Sequence, residues 1–305
     1  IVHGGNKYSK STEINDRVLL EIESIAPLAP LHNPAALKGI NAFMSAIPNA
    51  RNVACFDTAF HQTMEEATYL YPVPYEWYIK YDVRKYGFHG LSHKFITEKM
   101  TDMLGKIPNL IICHIGSGAS ITAVKEGKCI DTSMGFTPLD GVIMGTRSGA
   151  IDASAVTYLA KKMNLSPDEM SSYLNKQCGF LGVSDVSSDN REIYAAINNG
   201  DEKAQLTADM LRYEIKKYIG SYAAVMNGLD AVIFTGGIGE NSWEVRGGVC
   251  TNMDYLGIKI NFELNKTIRG TQAKISTPDS KVEVWVIPTN EELLIARDTL
   301  AIISK

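Results

Sequence analysis

With 305 residues, 45% of them hydrophobic and 21% charged, the chain has the composition of a folded globular protein, with room for one large or two ordinary domains. A net charge of −4 argues against a nucleic-acid or membrane-surface binder, which usually carries a basic excess, while leaving room for a local cationic pocket that takes an anion. Five cysteines, an odd number without a C-x-x-C pair, read as reduced and partly buried thiols of a cytoplasmic protein. No apolar stretch reaches membrane-spanning length and no signal peptide is visible. The Asn-x-Ser/Thr triplets at Asn164 and Asn265 therefore read as chance matches. The opening I-V-H-G-G has no initiator Met and reads like the middle of a longer protein.

Short β-branched runs ending in glycine or polar turns predict buried strands over 52–57, 109–116, 230–237 and 282–289. Helical spacing is predicted over 92–104, over a segment opened by Ser166-Pro167 that continues through Met170, Tyr173 and Leu174, and over 201–227. In the last of these, Leu211, Ile215, Ile219, Tyr222 and Met226 recur every three or four residues, and Gly228 reads as the stop. Alternating strands and helices indicate α/β layers, without repeats, low-complexity tracts or a long linker. Glycine turns follow the strands at 109–116 and 230–237. Ligands of open α/β sheets gather at strand carboxyl ends, so two such turns suggest two walls of one cleft.

Each motif has a bland reading beside its chemical one. His32 in L-A-P-L-H-N-P and His89 in K-Y-G-F-H-G-L-S-H would each more often be structural histidines. Asp57, in F-D-T-A-F-H-Q-T-M, ends an apolar run, where a carboxylate is costly unless paired or metal-bound. H-I-G-S-G-A-S (114–120) is either a phosphate turn or a plain hairpin bend before I-T-A-V. D-T-S-M-G-F-T-P-L-D-G-V-I-M-G-T-R-S-G (131–149) is a long glycine-punctuated loop of the kind that carries function, and its Arg147 is free to reach an anion bidentately. A lone arginine is nevertheless usually a solvated surface group. F-T-G-G-I-G-E-N-S (234–242) is the strongest single stretch, a turn whose N–H groups favour phosphate or nucleotide. It has neither the Lys-Ser/Thr of a P-loop nor the dinucleotide fingerprint. S-S-D-N-R-E (187–192) and P-T-N-E-E (288–292) pass as solvated loops when taken alone. Zinc-ligand spacing and a nucleophile elbow are absent.

Taken in order, V-H-G-G, L-A-P-L-H-N-P, F-D-T-A-F-H, Y-G-F-H-G-x-S-H, D-T-S-M-G-F-T-P-L, M-G-T-R-S-G, G-G-I-G-E-N and I-P-T-N-E-E strongly resemble the acetate and propionate kinase family, over nearly the whole chain. That family lies within the superfamily of acetate and sugar kinases, Hsp70 and actin. The resemblance implies an α/β fold of two ribonuclease-H-like (actin-like ATPase) domains with an interdomain nucleotide cleft, divided as 1–58 plus 293–305 and 59–292, the first incomplete at its N-terminus. It implies a cytoplasmic homodimer that uses ATP and ADP with Mg²⁺, for which Mn²⁺ can substitute. The implied reaction is phosphoryl transfer between ATP and acetate, or another short-chain carboxylate. By position, Asp57 resembles the acidic residue that acts on Mg²⁺ or the acceptor. His89 and Arg147 resemble the pair that stabilises the transferring phosphoryl group, and His32 resembles a supporting histidine. His114, Ile115, Gly116, Ser117 and Gly118 match residues lining the ATP site, as do Asp189, Asn190, Arg191, Gly237, Ile238, Gly239, Glu240 and Asn241. Glu291 matches the Mg²⁺ ligand.

The chemistry agrees with these roles. A carboxylate acceptor with a pKa of about 4.3 is already a nucleophile at neutral pH, so the obstacle is repulsion between anions and the remedy is cationic. The chain departs from the family at Ser117, where relatives usually carry Asn, and at Ala150, where they carry an acid. Relatives also carry, before V-H-G-G, an N-x-G-S-S-S-x-K phosphate loop and an arginine that this sequence does not contain. A polypeptide lacking them is expected to have little or no kinase activity. The competing readings are a propionate kinase and a catalytically inert nucleotide-binding module. An actin- or chaperone-like structural ATPase is disfavoured by the matches at Asp57, His89 and Arg147.

Overall fold

The computed structural model describes residues 1–29 and 32–304, so Pro30 and Leu31 of L-A-P-L-H-N-P, and Lys305 of the expected 293–305 segment, lie outside the described residues. In chain order the strands are β1 (Thr12–Glu13), β2 (Val53–Ala54), β3 (Leu110–Ile115), β4 (Ala119–Lys125), β5 (Lys128–Thr132), β6 (Ala231–Thr235), β7 (Ala273–Lys274) and β8 (Glu283–Val286). Contacts group the chain into two compact units: Ile1–Ile107 with Val124–Thr137 and Thr289–Lys305, and Pro108–Ala123 with Pro138–Pro288. These limits differ from the 1–58 plus 293–305 and 59–292 division that resemblance implies. Helices such as Gly90–Leu104 (the predicted 92–104) join the first unit because they pack on its other elements.

The first unit is mainly helical. Only Val53–Ala54 of the predicted 52–57 strand is strand, paired antiparallel with β1, Thr12 opposite Ala54. The helix Asp16–Ser24 starts where the Asn15 side chain accepts the Val18 N–H, and it buries Val18 and Ile22. These pack with Tyr8, Ala54 and Phe56 in a small core where the Tyr8 and Phe56 rings stack 4.3 Å apart. The terminal helix Glu291–Ile303 is capped by Asn290. It is tied to the rest of the unit at Asp298, which takes Lys94 Nζ at 2.9 Å and the Ser11 hydroxyl at 2.7 Å.

The second unit is built on β4-β3-β6-β8-β7 of a six-stranded sheet whose full order is β5-β4-β3-β6-β8-β7. β3 runs parallel to β6, with Leu110 beside Ala231 and His114 beside Thr235, and β6 runs parallel to β8; β7 is antiparallel to β8. All five residues of β6 are buried, as expected of a parallel strand covered on both faces. Each large aliphatic side chain here contributes about 1.5–3 kcal/mol by burial. The helix Glu202–Met226 buries Leu211, Ile215, Ile219, Tyr222 and Met226, the predicted stripe. It ends at Asn227, in left-handed conformation, one residue before the expected Gly228 stop.

The parallel register of β3 and β6 places their carboxyl ends side by side, which is why the two glycine turns meet. A Cβ on Gly236 would lie 2.9 Å from the Ile115 carbonyl oxygen, and Gly236 also has φ +75°, so only glycine suits that position. F-T-G-G-I-G-E-N-S, read as a glycine turn leading into a helix around W-E-V-R, itself winds into a short helix, Gly236–Asn241, and the helix Trp243–Cys250 follows, capped by Ser242. Gly239 lies over the strand backbone, a Cβ there falling 3.5 Å from the Cys113 carbonyl oxygen, whereas Gly237 faces open space. All five cysteines are free, four of them buried, as predicted.

Candidate functional site

In the second unit the two glycine turns open on a cavity of about 860 Å³, within the range of small-molecule pockets. Gly116 and Ser117 form one wall, Gly237, Ile238 and Asn241 a second, and Ser188 through Arg191 a third. The tight turn at 116 is closed by the Gly116 N–H on the Gly118 carbonyl at 3.0 Å. The third wall is the start of the helix Asn190–Asn198, whose cap is Asp189. Asp189 accepts the Arg191 N–H at 2.8 Å and also pairs with the Arg191 guanidinium at 2.5 Å. That pairing holds the Asp189 carboxyl below its ordinary range. Arg269 adds a second exposed cation to the lining.

Eight of the thirteen expected nucleotide-site residues therefore line one cavity: Gly116, Ser117, Asp189, Asn190, Arg191, Gly237, Ile238 and Asn241. The other five are placed behind it. His114 and Ile115 are inside β3, where burial pushes the His114 imidazole down to about 4 and keeps it neutral. Gly118 serves as the acceptor that closes the turn, and Gly239 packs over Cys113 and Phe234. Glu240 turns its carboxylate back onto the Gly236 N–H at 2.9 Å and the Thr235 hydroxyl at 3.4 Å. One N–H expected to face a phosphate is thus already satisfied by the chain itself.

Arg147 sits in the same unit, on the loop that sequence marks as functional. The loop is pinned on every side: Ile143 N–H to Glu214 at 2.6 Å, Gly145 N–H to the Ser117 carbonyl at 3.3 Å, and Phe180 N–H to the Met144 carbonyl at 2.8 Å. Val142, Ile143 and Met144 of the loop are themselves buried. Its left-handed Gly149 could not carry a side chain, because a Cβ would sit 2.7 Å from the Gly141 carbonyl. On this support the Arg147 guanidinium donates to the Pro138 carbonyl at 3.0 Å and touches the Met144 sulfur, with no carboxylate paired to it among the described residues. Burial lowers its pKa, so an anion that approaches it meets a poorly solvated cation.

In the first unit Asp57 and His89 are joined through the backbone. The Asp57 carbonyl accepts the Gly90 N–H at 2.9 Å, and the Leu91 N–H favours the ionised Asp57 carboxylate. The carboxylate thus faces the N-terminus of the helix Gly90–Leu104, a favourable place for negative charge. Burial is the largest influence on this group and lifts its pKa to about 7, with the Glu291 carboxylate adding to the rise. Burial raises Glu291 as well. Two buried carboxylates, one of which raises the other's cost of ionisation, suit a divalent cation. Among the described residues no cluster of three or more His, Cys, Asp or Glu forms a metal cage. A Mg²⁺ that takes one or two carboxylates and fills its remaining positions with phosphate oxygens and water needs no such cage. His32 caps the helix Asn33–Ala46 without a side-chain bond to it. Its neighbour Asn33 is fully buried and bonds the His3 backbone twice, its Oδ1 accepting the N–H at 3.2 Å and its Nδ2 donating to the carbonyl at 3.0 Å.

Several residues at or behind these sites escaped the sequence reading. Tyr194, Ala195 and Asn198 line the cavity beside Arg191, and their spacing of three, four and seven from that residue is a helical-face signal that was available. Arg246 is fully buried and uses all five guanidinium donors. They reach Asn265 Oδ1 and the carbonyls of Gly239, Glu240, Asn265 and Ile268. Nothing in W-E-V-R announces that role.

An α/β sheet with parallel central strands and a polar cavity at their ends in the second unit, and a carboxylate set against a helix N-terminus in the first, agree with the actin-like ATPase class. The chain belongs to the acetokinase family, whose description matches residues 1–297. It is 54% identical over 308 residues to an acetate kinase of Bacteroides thetaiotaomicron, covering all of this chain and 77% of that protein. With an acetate kinase of Thermotoga maritima the identity is 52% over 310 residues, again with all of this chain and 77% of the relative. The crystal structure of Porphyromonas gingivalis acetate kinase superposes with a TM-score of 0.96 at 49% identity, covering 99% of this chain and 77% of that one. A propionate kinase from Francisella tularensis follows with a TM-score of 0.93 at 43% identity, covering 98% and 77%.

Proposed function

We infer that the chain is an acetate kinase, a phosphotransferase that moves the terminal phosphoryl group of ATP reversibly to the carboxylate of acetate, giving acetyl phosphate and ADP. The observation that carries this is the match of the acetokinase family over residues 1–297, joined to more than half identity with acetate kinases over the entire chain. Propionate is the second acceptor to consider, because a propionate kinase shares the fold at 43% identity.

The geometry supports a division of roles. In the second unit, the cavity walled by Ser117, Arg191 and Asn241 takes the nucleotide. Its shape favours the nucleoside end at the helix Gly236–Asn241, since Glu240 occupies the Gly236 N–H and would repel phosphate there. Arg147, rigidly held and with no carboxylate partner among the described residues, meets charge on the phosphoryl oxygens. In the first unit, His89 is the candidate for stabilising a transferring phosphoryl group, and His32 for supporting the acceptor. Asp57 and Glu291 would hold Mg²⁺, which when bound neutralises phosphate charge and draws the leaving oxygen's electrons. The acetate oxygen attacks phosphorus as the bond to the bridging oxygen breaks, and no protein base has to remove a proton.

A homodimer belongs to this reading, supported by exposed apolar residues on and before one helix of the second unit, Ile151, Tyr158, Leu159 and Met163, with Tyr158 61% exposed. So does a cytoplasmic setting, supported by five free thiols. Among the described residues no helix is long and apolar enough to cross a membrane. A coupled assay for ATP formation from acetyl phosphate and ADP, repeated in the forward direction with acetate, propionate and butyrate, tests the function. Acetate should give the highest kcat/KM. Nucleotide binding without turnover on any acid would replace the kinase by an inert nucleotide-binding module.

A further inference from the structure

His89 is the one proposed phosphoryl-contacting residue with unusual backbone. It lies in the left-handed region (φ 58°, ψ 26°), where a side chain with a Cβ pays a cost on the order of 1 kcal/mol or more. Such a conformation persists only where neighbours enforce it. On the C-terminal side they do so through the Gly90 N–H on the Asp57 carbonyl. On the N-terminal side the Phe88 carbonyl is held at 2.9 Å by Nε2 of His61, a fully buried residue of F-D-T-A-F-H that no catalytic role has absorbed. The His61 ring also lies so close to Gly87 (φ +76°) that a Cβ there would be 2.7 Å from its Cγ.

The second ring nitrogen of His61 completes the argument. A carbonyl can only accept, so Nε2 must carry the hydrogen in that bond and Nδ1 must be the bare acceptor. Nδ1 lies 3.2 Å from the sulfur of Cys129, also fully buried, whose one S–H has two acceptors in reach, the bare Nδ1 and, at the longer distance of 3.6 Å, the Asp131 carbonyl. Cys129 is itself held by the Thr63 hydroxyl on its carbonyl at 2.7 Å. Burial keeps both partners neutral, raising the thiol and lowering the imidazole to about 4, so the pair is thiol and imidazole rather than thiolate and imidazolium.

We propose that His61 is a positioning residue for His89: its Nε2–H anchors the Phe88 carbonyl and so fixes the left-handed turn that aims His89, while the Cys129 thiol selects the tautomer that makes this bond possible. The proposal rests on the assignment of His89 to phosphoryl transfer. The chain of contacts runs Cys129 S–H to His61 Nδ1, then His61 Nε2–H to Phe88 C=O, one residue before His89. Every member lies in the first compact unit.

The test compares His61→Phe, which keeps ring volume and loses both bonds, with His61→Gln, whose amide can still donate to the Phe88 carbonyl. Displacing a reacting group by a fraction of an ångström to an ångström costs on the order of 10- to 100-fold in rate. We expect kcat of the Phe variant to fall by that factor with KM for ATP unchanged, and the Gln variant to recover most of the loss. Placed in a His89→Ala background, His61→Phe should have no further effect on kcat, because the group it aims is gone. An equal loss in both backgrounds, or unchanged kcat in the folded Phe variant, would overturn the proposal. Should the Phe variant not fold, Cys129→Ala decides: a lowered kcat that Cys129→Ser restores is expected, and unchanged turnover refutes the tautomer link. Nitrogen-15 spectra of histidine-labelled wild type provide a readout independent of activity. They should show His61 protonated at Nε2 alone, and a proton at Nδ1 would sink the idea even in an active enzyme. Absence of turnover in the wild type would instead strike the kinase assignment.

Discussion

Arg147 shows how a single side chain is prepared before any ligand arrives. Its loop is bonded through the backbone at Ile143, Gly145 and Met144, so the guanidinium is carried by a frame that does not depend on it. Arg147→Ala should therefore leave the melting temperature nearly unchanged while turnover falls on the order of 10³-fold, as for other lost phosphoryl-stabilising arginines. Steady-state kinetics beside a thermal melt checks this, and near-normal kcat would remove Arg147 from the mechanism. Ser117 is a quieter case. Its carbonyl holds the Gly145 N–H, a bond any residue could make, while its side chain belongs to the cavity wall. Restoring the family's usual amide by Ser117→Asn should lower KM for ATP by about 2- to 10-fold, the worth of one hydrogen bond. Identical KM values would show that the position is indifferent.

Among the elements, the helix Gly236–Asn241 is held at both ends by internal charge. Glu240 caps its start, and Arg246, from the following helix, takes the carbonyls of Gly239 and Glu240 at its end. The same guanidinium reaches Asn265 and Ile268, so one buried cation ties the cavity wall to the helix Phe262–Thr267. Burial, with the nearby Arg269 charge, lowers its pKa to about 10, and it remains charged at neutral pH. Arg246→Lys cannot fill five acceptors from one ammonium. It should lower unfolding free energy by about 3 kcal/mol and raise KM for ATP, read by denaturant melts and kinetics. A stability loss under about 1 kcal/mol would mean that water replaces the lost bonds. This element also shows where local sequence misleads. Glycines 236, 237 and 239 read as a turn with N–H groups for phosphate, yet a carboxylate four residues on takes the Gly236 N–H and a cation ten residues on takes the carbonyls at the end of the short helix.

For the whole molecule, the titration of buried groups decides how folding responds to acid. His3, His61 and His114 are each pushed down by burial to about 4. In the unfolded chain they bind protons below about 6.5, whereas in the native state they stay neutral to about 4. Their contribution to stability is thus present above pH 6.5 and is lost as pH falls from there to about 4. Asp57 acts in the opposite sense, because its native pKa of about 7 lets the folded protein hold a proton that the unfolded chain releases. Burial raises Glu98, Glu214 and Glu291 in the same sense as Asp57, so these carboxylates offset part of the loss; the three histidines, each displaced across the whole window, should still make stability fall on acidification. Urea midpoints measured from pH 7 to pH 4 check this, and a flat or rising profile would mean that at least two of the histidines are solvated.

The sequence by itself determined the elements and the family. Apolar runs marked β3, β6 and β8, a stripe at three- and four-residue spacing marked Glu202–Met226, and eight short motifs in order marked an acetokinase. These depend on neighbours within a few residues of one another, or on whole-chain likeness, and both can be read along a line. Only the tertiary structure decided which groups meet. That β3 and β6 end side by side, that Glu240 satisfies Gly236, that five acceptors surround Arg246, and that Cys129 sets the tautomer of a histidine 68 residues away all depend on contacts between distant segments. The physical reason is that hydrogen bonds and charge pairs act over about 3 Å in space, whatever the separation along the chain.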